Sequence, residues 1–432
     1  MNDLKTNKIY LIAEKELYEN LCKKTFIGIM LFLILYAGYL NFLSMEIFTG
    51  LSAETELSPQ LIMSADPNQG ILAPLFSNLF IVILLIFPVI ISTSISAEKN
   101  NNTFSMLKLI FNDTTIIIGK FIAYFILALS LFLITFLLLI PYILHNGFID
   151  RYYILNVFFG FIIITSVWIL LSLLISAITP LSLSFYTIML FNISILLISF
   201  ISDIVNFKPL KLLNNILPYS FYDYILKGIF DLKLYTAYSI TGVFLFLMLK
   251  SVLSKKKYIV LYTILYILSI FIINLIDIKK DVTFNKINSL SSNAINVLNK
   301  IKDKDVKVIL YIKEDGPKWQ TAVDLINTFR LNFKNIKFIF LEPDENIEYG
   351  LIKFKYKNRT AKTLSVDEDI FVKNIFFVAT GKKLSMEFKK KQIGKPFKFT
   401  YNGKILYLLW TFFIVLSILY GRKLIIKGGI KL

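Results

Sequence analysis

The side chains that usually carry chemistry are scarce in this chain. It has one Cys, Cys22, and one His, His145. A lone Cys excludes an intrachain disulfide and a cysteine-rich zinc site, and a lone His excludes the H-E-x-x-H zinc-protease pattern. A Ser-His-Asp arrangement would have to use His145, which stands in a short segment beside Asn146 and Gly147 and reads as an ordinary loop histidine. The stretch "ATGKKLS" at 379–385 holds a Gly-Lys pair. It lacks the earlier Gly and the Ser/Thr after the Lys that a phosphate cradle needs. No G-x-S-x-G nucleophile elbow is present. Asp367, Glu368 and Asp369 cluster in a turn-like run where water solvates them. No residue is assigned to catalysis and none to a metal.

The elements around these residues are mostly apolar. Of 432 residues, 56% are hydrophobic, above the roughly 45–50% of soluble domains, and the mean hydropathy is +0.67. Several runs reach the roughly 20 residues a helix needs to cross a bilayer. Backbone groups in lipid must be satisfied internally, so runs of this length mean helices. The expected fold is an α-helical integral membrane protein with eight spans, at roughly 25–44, 77–97, 117–141, 154–178, 181–202, 237–253, 258–276 and 404–420. The N-terminus does not read as a cleavable signal, because about 24 polar-amphipathic residues precede a long first run.

The formal net charge of +18 reads as lysines anchoring helix ends in a lipid bilayer. No basic helix or aromatic-interleaved patch points to nucleic acid. Lys5, Lys8, Lys15, Lys23 and Lys24 precede the first span, Lys255 to Lys257 follow the sixth, and Arg422, Lys423, Lys427 and Lys431 follow the last. With eight spans these flanks share one side, which the positive-inside rule makes cytoplasmic. The expected location is a cell (inner) membrane, with both termini cytoplasmic. Residues 1–24 form an amphipathic helix and 421–432 a cytoplasmic tail. The spans are almost free of ionisable residues. Asp203 sits at a span end, and Asn78, Asn192 and Asn274 are the main buried polar candidates.

Residues 277–402 form the one large polar region, placed outside by this topology. It carries 25 Lys/Arg against 15 Asp/Glu, a weak conflict because long domains translocate largely regardless of charge. "LSSNAINVLNKI" and "KWQTAVDLINTFRLNF" read as helices, "DVKVILYI" and "NIKFIFLEP" as strands, together an α/β domain of βαβ type. "LIKFKYK" reads as an exposed antiparallel strand and "DIFVKNIFFVAT" as a further strand.

Between the second and third spans runs "SAEKNNNTFSMLKLIFNDTTIIIGKF". Glu98 and Lys99 end one span. "TFSMLKLI" is a short helix with Phe104, Leu107 and Ile110 or Phe111 on one face. "NDTT" can cap the next helix, and Lys120 can snorkel to the interface.

This order of pieces resembles the ABC transporter type-2 permeases: a Glu at the cytoplasmic end of a span, a short helix, a turn, then "IIIGKFIA". Asn102 stands where that family usually has Gly. The N-terminal "IAEKELYENLCKKTFIGIMLFLIL" is also similar to the family's opening amphipathic helix, and 25–253 matches its six-span (GldF-like) unit. "DVTFNKINSLS" and the helix and strand after it, with a seventh span at 258–276, resemble the auxiliary subunit of gliding-motility-type ABC transporters (GldG-like), with Asn288 in place of its usual aromatic.

The resemblance implies a permease fused to a short extracytoplasmic auxiliary domain. It implies an exporter, a dimer of permease subunits, and a separate ATP-binding subunit that carries the ATP and Mg; this chain itself holds no cofactor. That subunit would dock on the loop 98–115, with Glu98, Phe104, Leu107, Leu109 and Lys120 as coupling residues. The interfacial helix would contribute Ala13, Glu16, Leu17 and Leu21. The competing expectation is an envelope scaffold whose 277–402 domain binds a cell-envelope partner without transport. An intramembrane enzyme lacks catalytic residues in its spans.

Overall fold

The computed structural model describes residues 2–55, 66–204, 210, 217–254, 258–273, 278–284, 286, 288–313, 316, 318–333, 335–343, 348–386 and 399–428. Asn274, the Lys255–Lys257 flank and Lys431 lie outside these residues, as does the side chain of Asp203. The chain divides into two compact units, residues 1–278 with 395–432, and residues 279–394.

The first unit is a helical bundle. Helix α1 runs Asn2–Cys22 and α2 Lys24–Thr55. They are followed by α3 (Asn68–Asn100), the short α4 (Thr103–Ile110), α5 (Asp113–Leu144) and α6 (Arg151–Ile178). The remaining helices are α7 (Leu181–Ile204), α8 (Pro218–Leu226), α9 (Leu232–Leu253), α10 (Ile259–Ile273) and, from the C-terminal part, α14 (Tyr401–Gly428). Among the described residues, seven helices are long and apolar enough to cross a membrane, an architecture that fits an α-helical membrane protein. Each expected span except 258–276 falls inside one of the seven. In its place α10 covers 15 described residues, fewer than the roughly 20 that reach across, and the residues after it are outside the described set.

Side-chain carboxylates start two of these helices. Asp150 accepts from the N–H groups of Tyr152 and Tyr153, and Asp231 from those of Lys233 and Leu234. Helix α3 is less regular. Pro74 and Pro88 have no N–H to give, so neither Gly70 nor Leu84 can receive an ordinary helical bond. Beside each proline the helix widens into a π turn, with Ala73 donating to Asn68 and Phe87 to Val82, five residues back. Near Thr93 the helix loosens again, and the Ser176 hydroxyl of α6 accepts the N–H groups of Ile95 and Ser96, each at 3.0 Å. In an apolar interior such freed groups must find partners.

The second unit has its own core. Helix α11 (Ser292–Asn299) is capped by Ser291, whose side chain accepts from the N–H of Ala294. Strand β1 (Val306–Tyr311), α12 (Trp319–Asn332) and β2 (Ile336–Leu341) make a parallel βαβ crossover. Strands β3 (Ile352–Tyr356) and β4 (Arg359–Thr363) add in antiparallel fashion, giving the order β2-β1-β3-β4. Val308, Leu310, Ile352 and Phe354 meet Leu298, Ile326, Phe329 and Phe371 in the core.

Three expectations are corrected here. "DIFVKNIFFVAT" forms helix α13, Glu368–Thr380, and not a strand. Its buried residues Phe371, Val372, Ile375, Val378 and Ala379 recur at helical spacing, and Gly381 ends it in the left-handed conformation (φ 80°). Of the three acids read as a solvated turn, Asp367 is exposed and stands at the N-cap position without a side-chain cap bond. The other two lie in the first turn of α13, where Glu368 accepts the Ser291 N–H at 2.7 Å and Asp369 pairs with Lys373 at 2.6 Å. Anions are favoured there by the helix dipole. Finally, "LIKFKYK" supplies an inner strand rather than an exposed one, with Ile352 and Phe354 fully buried.

Candidate functional site: a buried charge cluster

The most polar part of the bundle interior lies where α1, the end of α3 and the start of α5 converge. Helix α1 presents Ile12, Ala13, Glu16 and Asn20 to the bundle, all buried. Leu17 and Leu21, half-buried, pack against the same core. The α1 face picked out as interfacial in the sequence therefore rests on the chain's own helices. Contact with α5 is close because of Gly119. A Cβ there would come within 2.7 Å of Ile12 Cβ and 3.2 Å of the Ile9 carbonyl oxygen.

One residue on, Lys120 is wholly buried. The snorkelling expectation is thus corrected: its ammonium turns inward to two carboxylates. It pairs with Glu16 and, at 3.0 Å, with Glu98. It also donates to the Ser94 hydroxyl at 3.1 Å. Glu16 further accepts from the Tyr124 hydroxyl at 3.1 Å. Asn20 donates to the Glu16 backbone carbonyl at 2.7 Å and sits 3.5 Å from the Tyr124 hydroxyl. Lys15 reaches Glu98 at 3.0 Å from the half-exposed side.

Two ammonium groups and two carboxylates therefore balance. Burying an ion costs several kcal/mol unless partners replace its water, and here each has them. Burial alone would raise the Glu16 carboxyl. The Lys120 charge and the hydrogen bonds from Lys120 and Tyr124 outweigh it and hold the group below the usual carboxylate range. Burial likewise lowers Lys15, but its hydrogen bond and attraction to Glu98 leave its ammonium above the usual lysine value.

The short helix α4 continues from this cluster. It starts at Asn102, which takes the left-handed conformation (φ 58°). Glycine is the usual choice there, and Asn is among the few other residues that tolerate it. At its far end Asn112 takes the N-cap position of α5 without a side-chain hydrogen bond, so the expected cap does not form. Instead Lys108 pairs with Asp113 at 3.0 Å and donates to the Leu253 carbonyl at the end of α9. Lys99 donates to the Ala177 carbonyl at the end of α6. Cations at helix C-termini satisfy orphan carbonyls. Both ammonium groups also approach the Phe104 ring, at 5.8 and 5.4 Å from its centroid.

The five expected coupling residues thus divide. Glu98 and Lys120 share the cluster. Phe104 is buried and Leu107 half-buried against the bundle core, with Phe111 beside them. Leu109 points away and is 88% exposed, with Met106 and Ile110 flanking it. Sequence reading missed Lys15, Ser94, Asn20 and Tyr124. The signal available was the one-turn spacing of Glu16 with Asn20 and of Lys120 with Tyr124, which puts each pair on one helix face.

Among the described residues, no group of His, Cys, Asp and Glu is placed to hold a metal ion. Comparison with family models, curated proteins and solved structures finds no match to this chain.

Proposed function

We propose that the chain is the membrane-spanning permease subunit of an ABC transporter, an exporter energised by a separate ATP-binding subunit that docks on the segment 98–115. The observation that carries this reading is the two-sided character of α4. Its inner face, Phe104 and Leu107, is fixed to the bundle, while Met106, Leu109 and Ile110 form an apolar outer face with no partner among the described residues.

A push on that outer face has a short path into the spans. Lys99 leads to α6, Lys108 to α5 and α9, and Glu98 through Lys120 to α5 and α1. A docked subunit that moves with its nucleotide would bias these elements between two arrangements. Glu98 and Lys120 act here as positioning residues and Leu109 as a contact residue. The Lys/Arg flanks favour a cytoplasmic position for this end of the bundle, and the resemblance implies a second permease subunit beside the chain.

The test is affinity purification of the tagged chain in detergent, with mass spectrometry of what stays bound. A stoichiometric P-loop ATPase is expected, and Leu109→Asp should release it without changing the thermal unfolding of the chain. Copurification of envelope proteins with no ATPase would put the scaffold reading in its place.

A further inference from the structure

The sheet of the second unit has one covered face and one open one. Helices α11, α12 and α13 pack on the face that carries Val308, Leu310, Phe338, Ile352 and Phe354. Side chains alternate along a strand, so the other face is set by register. Lys307 lies opposite Lys337 on one side and Lys355 on the other, and Lys353 lies opposite Lys362. All five lysines therefore stand on the open face. None of the four strands contains an acid. Among the described residues, the ion pairing of these lysines is limited to an exposed 3.9 Å contact between Lys337 and Asp305.

Like charges directly opposite each other destabilise a sheet. This one holds three such cross-strand pairs without an intervening carboxylate. Beside them run two apolar pairs, Ile309 with Ile339 and Tyr311 with Leu341. Ile339 and Leu341 are 40% and 44% exposed. A lysine field edged by a short apolar stripe has the chemistry of a surface that lies on anionic head groups and sinks a few apolar side chains among them.

We infer that the open face of this sheet docks on an anionic lipid bilayer. Connectivity favours a bilayer over a soluble polyanion. The chain enters the unit from apolar helix α10 and leaves it into α14, so a bilayer surface is present at high effective concentration at all times. The inference does not depend on the transporter reading, nor on which side of the membrane the unit occupies. Each lysine near an anionic surface is worth roughly a fivefold change in the docking equilibrium.

The experiment uses the full chain with Cys22→Ser and Thr360→Cys, labelled with an environment-sensitive dye. Thr360 is exposed and pairs with Lys355, so the dye reports the open face. The protein is placed in nanodiscs of phosphatidylcholine, with or without phosphatidylglycerol. A blue shift in the anionic discs alone, reversed by high salt, is expected. The triple variant K307Q/K353Q/K355Q should weaken docking on the order of 100-fold and abolish the shift, while its thermal unfolding midpoint does not fall, because these side chains lie outside the core and each substitution relieves a like-charge pair. Identical spectra in both lipids would overturn the inference. So would a shift driven by inorganic polyphosphate or by protein density in neutral discs without a response to anionic lipid.

Discussion

Lys120 and Glu16 lie 104 positions apart in the chain and meet as an ion pair with both side chains almost wholly out of water. The pair ties the N-terminal helix to the helix that starts after α4. Removing one partner leaves a buried charge uncompensated, which costs about 3–5 kcal/mol. Lys120→Met is expected to lower the unfolding midpoint in detergent strongly. The double variant Lys120→Met with Glu16→Gln should recover part of the loss, because the stranded carboxylate is gone. Additive losses in a thermal double-mutant cycle would show that the two do not act as a pair.

The same contact sets an acid limit. The Glu16 pKa in the fold lies below its ordinary value of 4.5. A depressed carboxyl contributes stability at pH values above the ordinary one, and that contribution is lost as pH falls below it through the folded value. Lys15 works in the opposite sense, since its raised ammonium keeps its contribution up to its ordinary 10.5 and loses it only above. The latter effect is small because the side chain is 42% exposed. Attachment of α1, followed by limited proteolysis, should be flat through neutral pH and fail in acid, with the acid step reduced in Glu16→Gln.

Gly119 is set by the approach of α1. Gly119→Ala puts a methyl group against Ile12 and is expected to cost about 1–3 kcal/mol, as overpacking does. Gly119→Leu should displace α1. Hydrogen exchange in residues 9–20 reads this directly, and protection unchanged in both variants would contradict the packing described.

Asn102 gives a finer test. Asn102→Gly keeps the left-handed turn and should change stability by a few tenths of a kcal/mol. Asn102→Val forces a branched side chain into that conformation and should cost roughly 1–2 kcal/mol or more. The loss should appear as faster exchange across 103–110, since α4 starts there.

Much of the bundle could be read from composition, because a long apolar run in lipid has one way to satisfy its backbone. The βαβ crossover was legible for a similar reason, with periods of 3.6 and 2 alternating along 292–341. The error at "DIFVKNIFFVAT" came from a run rich in aromatic and branched residues, where β propensity masked the helical spacing of Phe371, Val372 and Ile375. Strand β4, "RTAKT", has almost no apolar signal and is held by pairing with β3. At the cluster, Glu98 and Lys120 looked like flanking charges because each lies near the end of an apolar run. Only the fold brings Glu16 from α1 to neutralise Lys120, and no local pattern encodes a partner so far away.

The two π turns of α3 bear on the cluster in a way that reaches past hydrogen bonding. A helix advances by about 100° per residue, and each π turn takes up one extra residue, so the residues beyond it keep the phase of an α-helix one residue shorter. A regular α-helix of unchanged length over 68–100 would carry the Glu98 carboxylate about 200° further round the axis, away from Lys120. Deleting one residue within 68–72 or 82–86 would instead remove one bulge and leave the carboxylate facing the ammonium. For this protein the two π turns are an angular setting, and tightening them without shortening the helix would strand the ammonium.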